Sequence, residues 1–235
     1  RLRTVTGVQT CALPICYADR KKNQAFGDDV FAALEGPFEE LAPLCEGRPK
    51  GITPAYINPD GTPGASFLQL KLRARLLAAL AYRRRYGDPG RPVLPLYQMT
   101  SAGTDAELAR AYEAYEEEEI LRPLAEALGA PACSFRTGIQ PMIGAYSHSA
   151  SGRPRTVFDR AYGRPDNALS LPGGHGQCFR VLAPALRDLR DSGTRFAYLG
   201  NVDNLGYLPD PVEIGLLALS GQPAAFDFSV RTPVD

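Results

Sequence analysis

Three short stretches of this 235-residue chain concentrate the residue types that do chemistry. In "NVDNLG" (201–206), Asn201, Asp203 and Asn204 directly follow the apolar run "FAYLG". A carboxylate there suits Mg2+, which takes oxygen ligands and commonly bridges one or two carboxylates to a substrate's phosphates. An Asp-Asn pair also caps turns, which is the commoner use of such residues. In "LPGGHGQCF" (171–179), Gly173, Gly174 and Gly176 surround His175 where a helix begins. Glycines allow close backbone approach and positive φ, and amides at a helix start favour anions. Glycine-rich turns are common, and a lone histidine is more often a structural hydrogen-bonder, as His148 in "AYSHSASGR" is expected to be. In "LAPLCEGRPKGITPAY" (41–56), Lys50 lies between two prolines in a stretch too polar for a core. Its ammonium is a compact charge suited to phosphate oxygens, although a surface lysine in a proline-rich loop is the plainer reading.

Alternating helices and strands must position these residues. "SFLQLKLRARLLAALAYRRRY" (66–86) starts on a good cap, Ser66, and spaces Leu68, Leu72, Leu76, Leu77 and Leu80 for one buried helix face, closed by Gly87. "VLPLYQMTS" (93–101) reads as a buried parallel strand. Thr104 opens a further helix whose acidic run, Glu116 to Glu119, reads as a solvated face, and Pro123 starts a second helix or kinks the first. "ACSF" (132–135), "RFAYLG" (195–200) and "AAFDFSVR" (224–231) read as strands, and "CFRVLAPALRDLRDSG" (178–193) as a helix ended by Gly193. Residues 144–174, rich in Gly, Ser, Pro and Arg, read as a long functional loop. The alternation predicts an α/β fold with a mostly parallel sheet covered by helices on both faces, and ligands beyond the carboxyl ends of its strands.

Lys plus Arg and Asp plus Glu each total 26, and the basic residues are dispersed, so neither nucleic acid nor a membrane surface is an expected partner. No apolar run approaches the roughly 20 residues of a membrane span. Cys16, Cys45, Cys133 and Cys178 show no metal-ligand spacing and read as reduced thiols of a cytoplasmic protein. Lys21, Lys22, Lys50 and Lys71 are the only lysines against many arginines, the usage of a GC-rich bacterial genome. Val5 to Ile15, "VTGVQTCALPI", reads residue for residue as a translated sequencing-library adapter. Residues 1–15, Cys11 among them, are therefore set apart as an artefact, leaving 16–235 as one partial domain.

With "RPKGITP", "SFLQLKL", "MTS" followed by "TD", "PGGHG" and "NVDNLG" in order, the chain from about Leu41 to Asp235 resembles the UTP–glucose-1-phosphate uridylyltransferase family. The last two motifs are specific as a pair. The resemblance implies a Rossmann-like (GT-A-like) nucleotidyltransferase catalytic domain, incomplete at both ends. It implies Lys50 as the catalytic lysine on the nucleotide phosphates, Gly174 against the uracil, His175 on the sugar phosphate, and Asn201 and Asp203 as a nucleotide-binding pair with Asp203 as the Mg2+ ligand. The implied partners are UTP and a hexose 1-phosphate, glucose 1-phosphate being favoured because relatives acting on N-acetylhexosamine 1-phosphate tend to have asparagine in the histidine's place.

Three departures qualify that resemblance. The family's glycine loop, of the type GGxGTRxG, should precede "LAPL", but here "EGPFEELAPL" offers Gly36 alone, with Glu39 and Glu40 repelling phosphate. The expectation is that the loop lies upstream, in sequence the adapter replaced, and that the chain as written transfers little or no uridylyl group. The family's uracil-reading glutamine falls near "FRTGIQPMI", where the nearest register offers Thr137 and a shift supplies Gln140. The chain also ends at "RTPVD", before the family's later lysine and carboxy-terminal domain. Two further readings stand beside the first: transfer to an N-acetylhexosamine 1-phosphate, and a catalytically silent nucleotide-sugar-binding protein.

Overall fold

The computed structural model describes residues 28–226 apart from 91, 134, 148–155 and 207. Residues 1–15, Cys16, His148 and the end of the expected strand 224–231 lie outside the described residues. The first element is helix α1 (Asp28–Cys45), which carries Pro37 and Pro43 internally and buries Leu41 and Cys45. It contains the whole of "EGPFEELAPL", so Gly36 has helical backbone and forms no loop.

Helix α2 (Phe67–Tyr86) is the axis of the core. Its start is fixed by a capping box: the Ser66 hydroxyl accepts the Gln69 N–H at 3.2 Å, and the Gln69 side chain accepts the Ser66 N–H at 2.6 Å. The same hydroxyl shares a 2.7 Å hydrogen bond with Tyr115, which ties the cap to a later helix. Gly87, at φ 82°, ends α2 in a conformation that side chains resist. Leu68, Leu72 and Leu76 form the expected buried stripe, Leu80 packs at its margin, and Leu77 falls off it, 41% exposed.

Strand β1 (Leu96–Ser101) runs parallel to β2 (Phe135–Gln140), with Leu96 opposite Phe135 and Ser101 opposite Gln140, so the carboxyl ends of the two strands are level. The chain between them forms α3 (Asp105–Tyr115) and α4 (Arg122–Leu128), with Pro123 in the first turn of α4 where its missing N–H is harmless. Leu108, Tyr112, Leu121 and Leu128 from this segment close on Leu72 and Leu76.

Several expectations are corrected. The second strand begins at Phe135, not at Ala132, because the backbone N–H groups of Ala132 and Cys133 donate to the Glu116 carboxylate at 2.9 Å each. Glu116 is therefore not part of a solvated face: it anchors the entry to β2. The apolar run 195–200 forms no strand, since strands exist by pairing and this run makes no ladder; Phe196 and Leu199 are 40% and 52% exposed. The described residues thus hold an α/β arrangement with one parallel pair, not a mostly parallel sheet. Two antiparallel pairs accompany it: β3 (Met142–Gly144) with β6 (Ser170–Pro172), and β4 (Tyr146–Ser147) with β5 (Thr156–Val157). These pairs give order to part of the long loop expected over 144–174.

The helix expected over 178–193 divides into α5 (Cys178–Val181) and α6 (Ala183–Asp191), because Pro184 cannot continue a hydrogen-bonded helix from the preceding turn. Helix α7 (Pro211–Ser220) starts on Asp210, whose carboxylate accepts the Val212 N–H at 2.7 Å. Among the described residues no helix is long and apolar enough to cross a membrane. Among the described residues Cys45, Cys133 and Cys178 are in no disulfide, and burial pushes the Cys133 thiol up to about 12, which keeps it protonated and poorly nucleophilic.

Gly138 explains how α5 reaches the sheet. A Cβ there would lie 2.6 Å from Val181 Cγ1 and 2.9 Å from Leu182 Cδ2, closer than real contacts allow. Gly138→Val is expected to lower stability by about 1–3 kcal/mol through overpacking, despite valine's preference for strands. An unchanged urea midpoint would show that α5 does not pack there.

Candidate functional site

Lys50 opens a short 3-10 turn (Lys50–Ile52) that is held from below. The Thr53 hydroxyl, fully buried, donates to the Lys50 carbonyl at 2.8 Å, and the Thr53 N–H does so at 3.3 Å. Gly51 lets the turn lie against two other segments: a Cβ there would meet Leu68 Cδ1 at 2.7 Å and Val202 Cγ2 at 3.4 Å. The first turn of α2, the Lys50 turn and the 201–206 turn therefore share one contact. Just before it, the Arg48 guanidinium pairs with Glu107, in the first turn of α3, at 3.4 Å. That ion pair sets the Lys50 turn near the end of β1 from which α3 departs.

The 201–206 turn is closed by its own backbone, with the Asn204 N–H donating to the Asn201 carbonyl at 3.2 Å and the Leu205 N–H to the Asp203 carbonyl at 3.0 Å. Its carboxylate is thus left for another partner. The Lys50 ammonium donates to Asp203 Oδ2, joining residues 153 positions apart. The Lys50 side chain is only 10% exposed and that of Asp203 33%, so the cation lies beneath and the carboxylate opens toward solvent.

A second cluster lies at the end of the neighbouring strand. Gln140, the last residue of β2 and 4% exposed, donates from Nε2 to the Gly174 carbonyl at 2.7 Å. Gly174 has φ 92°, and His175 follows in a 3-10 turn (His175–Gln177) that leads into α5. A Cβ at Gly173 would come within 2.1 Å of Nε2 at the end of the Gln177 side chain, which would have to swing aside. Gly174, with its positive φ, is the position whose backbone geometry favours glycine. Thr137, three residues before Gln140, is exposed and falls on the opposite side of the strand by alternation.

Of the residues singled out from sequence, Lys50 and Asp203 meet directly, and Gln140 and Gly174 meet directly. His175 is exposed, and no hydrogen bond or ion pair among the described residues joins it to Lys50 or Asp203. Asn201 is exposed beside the Asp203 turn. One residue escaped the sequence reading: Lys71, on α2, feels the charge of Asp203 as well. The available signal was its rarity, the only lysine in a helix otherwise supplied with arginine.

No three or more His, Cys, Asp or Glu side chains converge among the described residues, and at the Lys50 pair the carboxylate shown is that of Asp203. That donor set fits a cation that keeps most of its shell from phosphates and water, as Mg2+ commonly does. No family model matches the chain, and no curated protein matches it.

Proposed function

We propose that the intact protein, of which this chain is the central part, transfers a uridylyl group from UTP to a hexose 1-phosphate, glucose 1-phosphate being favoured, with UDP-sugar and pyrophosphate as products, and that this chain by itself transfers little or none. The observation that carries the reading is the pairing of Lys50 with Asp203 across the fold. These are the two positions to which the motif resemblance assigns phosphate and metal handling, and they lie 153 residues apart in the chain. In the reaction a phosphate oxygen of the sugar phosphate attacks the α-phosphorus of UTP in line, forming one P–O bond while the bond to pyrophosphate breaks. That oxygen is already anionic at neutral pH, so no general base is required.

The residues divide the work by charge. Lys50 would exchange its carboxylate partner for phosphate oxygens and offset charge growing at the α-phosphorus. Asp203, partly open to solvent, would hold Mg2+, which when bound neutralises phosphate charge. Gln140 and Gly174 would border the base, with the Gln140 Oε1 atom as the acceptor left over from its bond to Gly174. His175 would reach the sugar phosphate from its exposed turn.

A second reading, binding of a nucleotide sugar without transfer, is favoured by one observation: α1 occupies the stretch before "LAPL", and a helix there supplies no glycine cradle. Titration calorimetry with UTP, UDP-glucose and ATP in Mg2+, paired with an assay for pyrophosphate release on adding glucose 1-phosphate, tests both. Uridine nucleotides are expected to bind about 10-fold or more tightly than ATP, a discrimination of the size that hydrogen-bond readout of a base supplies. This chain is expected to bind without release under either reading; the same assay on the product of the gene read without the adapter decides, release selecting the enzyme and binding alone the silent protein. Equal affinity for ATP and UTP ends the uridylyl reading.

A further inference from the structure

One polar side chain of the Gly174 turn, that of Gln177, takes no part in the contacts between Lys50 and Asp203 or between Gln140 and Gly174. Gln177 ends the 3-10 turn that begins at His175, and its backbone N–H donates to the Gly174 carbonyl at 3.1 Å. That carbonyl also accepts from Gln140 Nε2 at 2.7 Å, so Gln177 and the end of β2 are tied to one oxygen. The Gln177 side chain folds back over the Gly173 backbone: a Cβ on Gly173 would lie 2.1 Å from its Nε2 and 2.7 Å from its Oε1. In that position Oε1 is shut off from solvent and accepts no hydrogen bond among the described residues.

A buried carbonyl oxygen without a donor has given up water and gained nothing in exchange, so it destabilises the place it occupies. The Gln177 amide is not confined there. It sits at the end of a flexible side chain with several staggered rotamers. Beside the turn lies open space, since a Cβ built on Gly174 or on Gly176 would meet no atom within 4 Å. Rotation of the side chain alone is enough to bring Oε1 out beside the turn.

The chemistry of the atom selects what it can meet. An amide oxygen only accepts, so it repels phosphate oxygens and needs an O–H or N–H. In a UDP-sugar, uracil has a single ring N–H, for which Gln140 Oε1 is the acceptor in the reading above. The remaining donors are the hydroxyls of the ribose and the hexose. We propose that Gln177 is a sugar-binding residue of this site: its amide turns away from Gly173, and Oε1 accepts a hydrogen bond from one sugar hydroxyl of a bound nucleotide sugar. The inference rests on reading the Gly174 turn as a nucleotide-sugar site and adds to it a residue that reads the sugar.

Gln177→Met keeps the length of the side chain and removes the amide, so its expected effects on stability and on binding differ in sign. Loss of the unpaired carbonyl should leave the melting temperature at or above that of wild type. Affinity for UDP-glucose, titrated calorimetrically into the full chain in Mg2+, should fall about fivefold, the size of one neutral hydrogen bond. UTP and ATP titrated alongside locate the hydroxyl: equal weakening of all three places it on the ribose, and weakening of UDP-glucose alone places it on the hexose. Unchanged affinities in the folded variant overturn the proposal, as does a melting temperature that falls together with affinity, which makes Gln177 structural. Weakening of UTP and UDP-glucose that spares ATP also overturns it, because that marks a base contact, and so does a wild-type chain that binds none of the three. The functional reading fails separately: binding that depends on Gln177, with ATP held as tightly as UTP, sustains the hydroxyl contact and ends uridylyl transfer.

Discussion

Asp203→Ala is expected to remove Mg2+-dependent UTP binding, weakening it on the order of 10- to 100-fold, and also to lower the melting temperature. The structural cost comes from Lys50, only 10% exposed, whose ammonium is left without its carboxylate partner. The 201–206 turn itself is closed by backbone hydrogen bonds that do not use the carboxylate, so little packing is lost there. The sign in the absence of metal is opposite. Without Asp203, Lys50 has lost the partner that competes with phosphate, so in EDTA the variant should bind UTP as well as wild type or better. Calorimetry with and without Mg2+ reads both arms. A variant that binds UTP equally poorly in either buffer would make Asp203 a structural residue.

Leu76→Ala is the largest stability change expected outside the site, costing about 2–5 kcal/mol. Leu76 is fully buried on α2, within the same core as Leu72, Leu108 and Leu121, so truncation opens a cavity that neighbours on three helices cannot fill. The outcome is read as a fall in the urea midpoint with unchanged slope. Leu77→Ala, one residue away but exposed, serves as the comparison and should fall within about 0.5 kcal/mol of wild type. Equal losses at both positions would mean that α2 is rotated relative to its described orientation.

The two expectations depend on different kinds of information. The stripe on α2, the Ser66 cap, β1, the helix opened by Thr104 and the helix start at Pro123 were legible in the sequence, because each is set by residues within one or two turns of one another. The start of β2 was not legible from "ACSF", since Glu116, in the turn just past the end of α3, decides it. Nor was the fate of "RFAYLG": its composition suits a strand, but a strand needs a neighbour, and none pairs with it among the described residues. For the site, sequence order suggested Lys50, Gly174, His175 and Asp203 as separate motifs, and offered Thr137 and Gln140 without distinguishing them.

Residue type and local spacing, then, determined the helices, the turns and which side chains have the chemistry to handle phosphate, because propensity, capping and apolar period act over a few residues. Tertiary structure alone decided that Lys50 meets Asp203 and that Gln140 and not Thr137 joins the Gly174 turn. Those contacts join segments dozens to more than a hundred residues apart, and their formation depends on how α2, the Lys50 turn and the 201–206 turn pack through Gly51. Charge acts through space, and no local pattern in the chain encodes the distance between two charges.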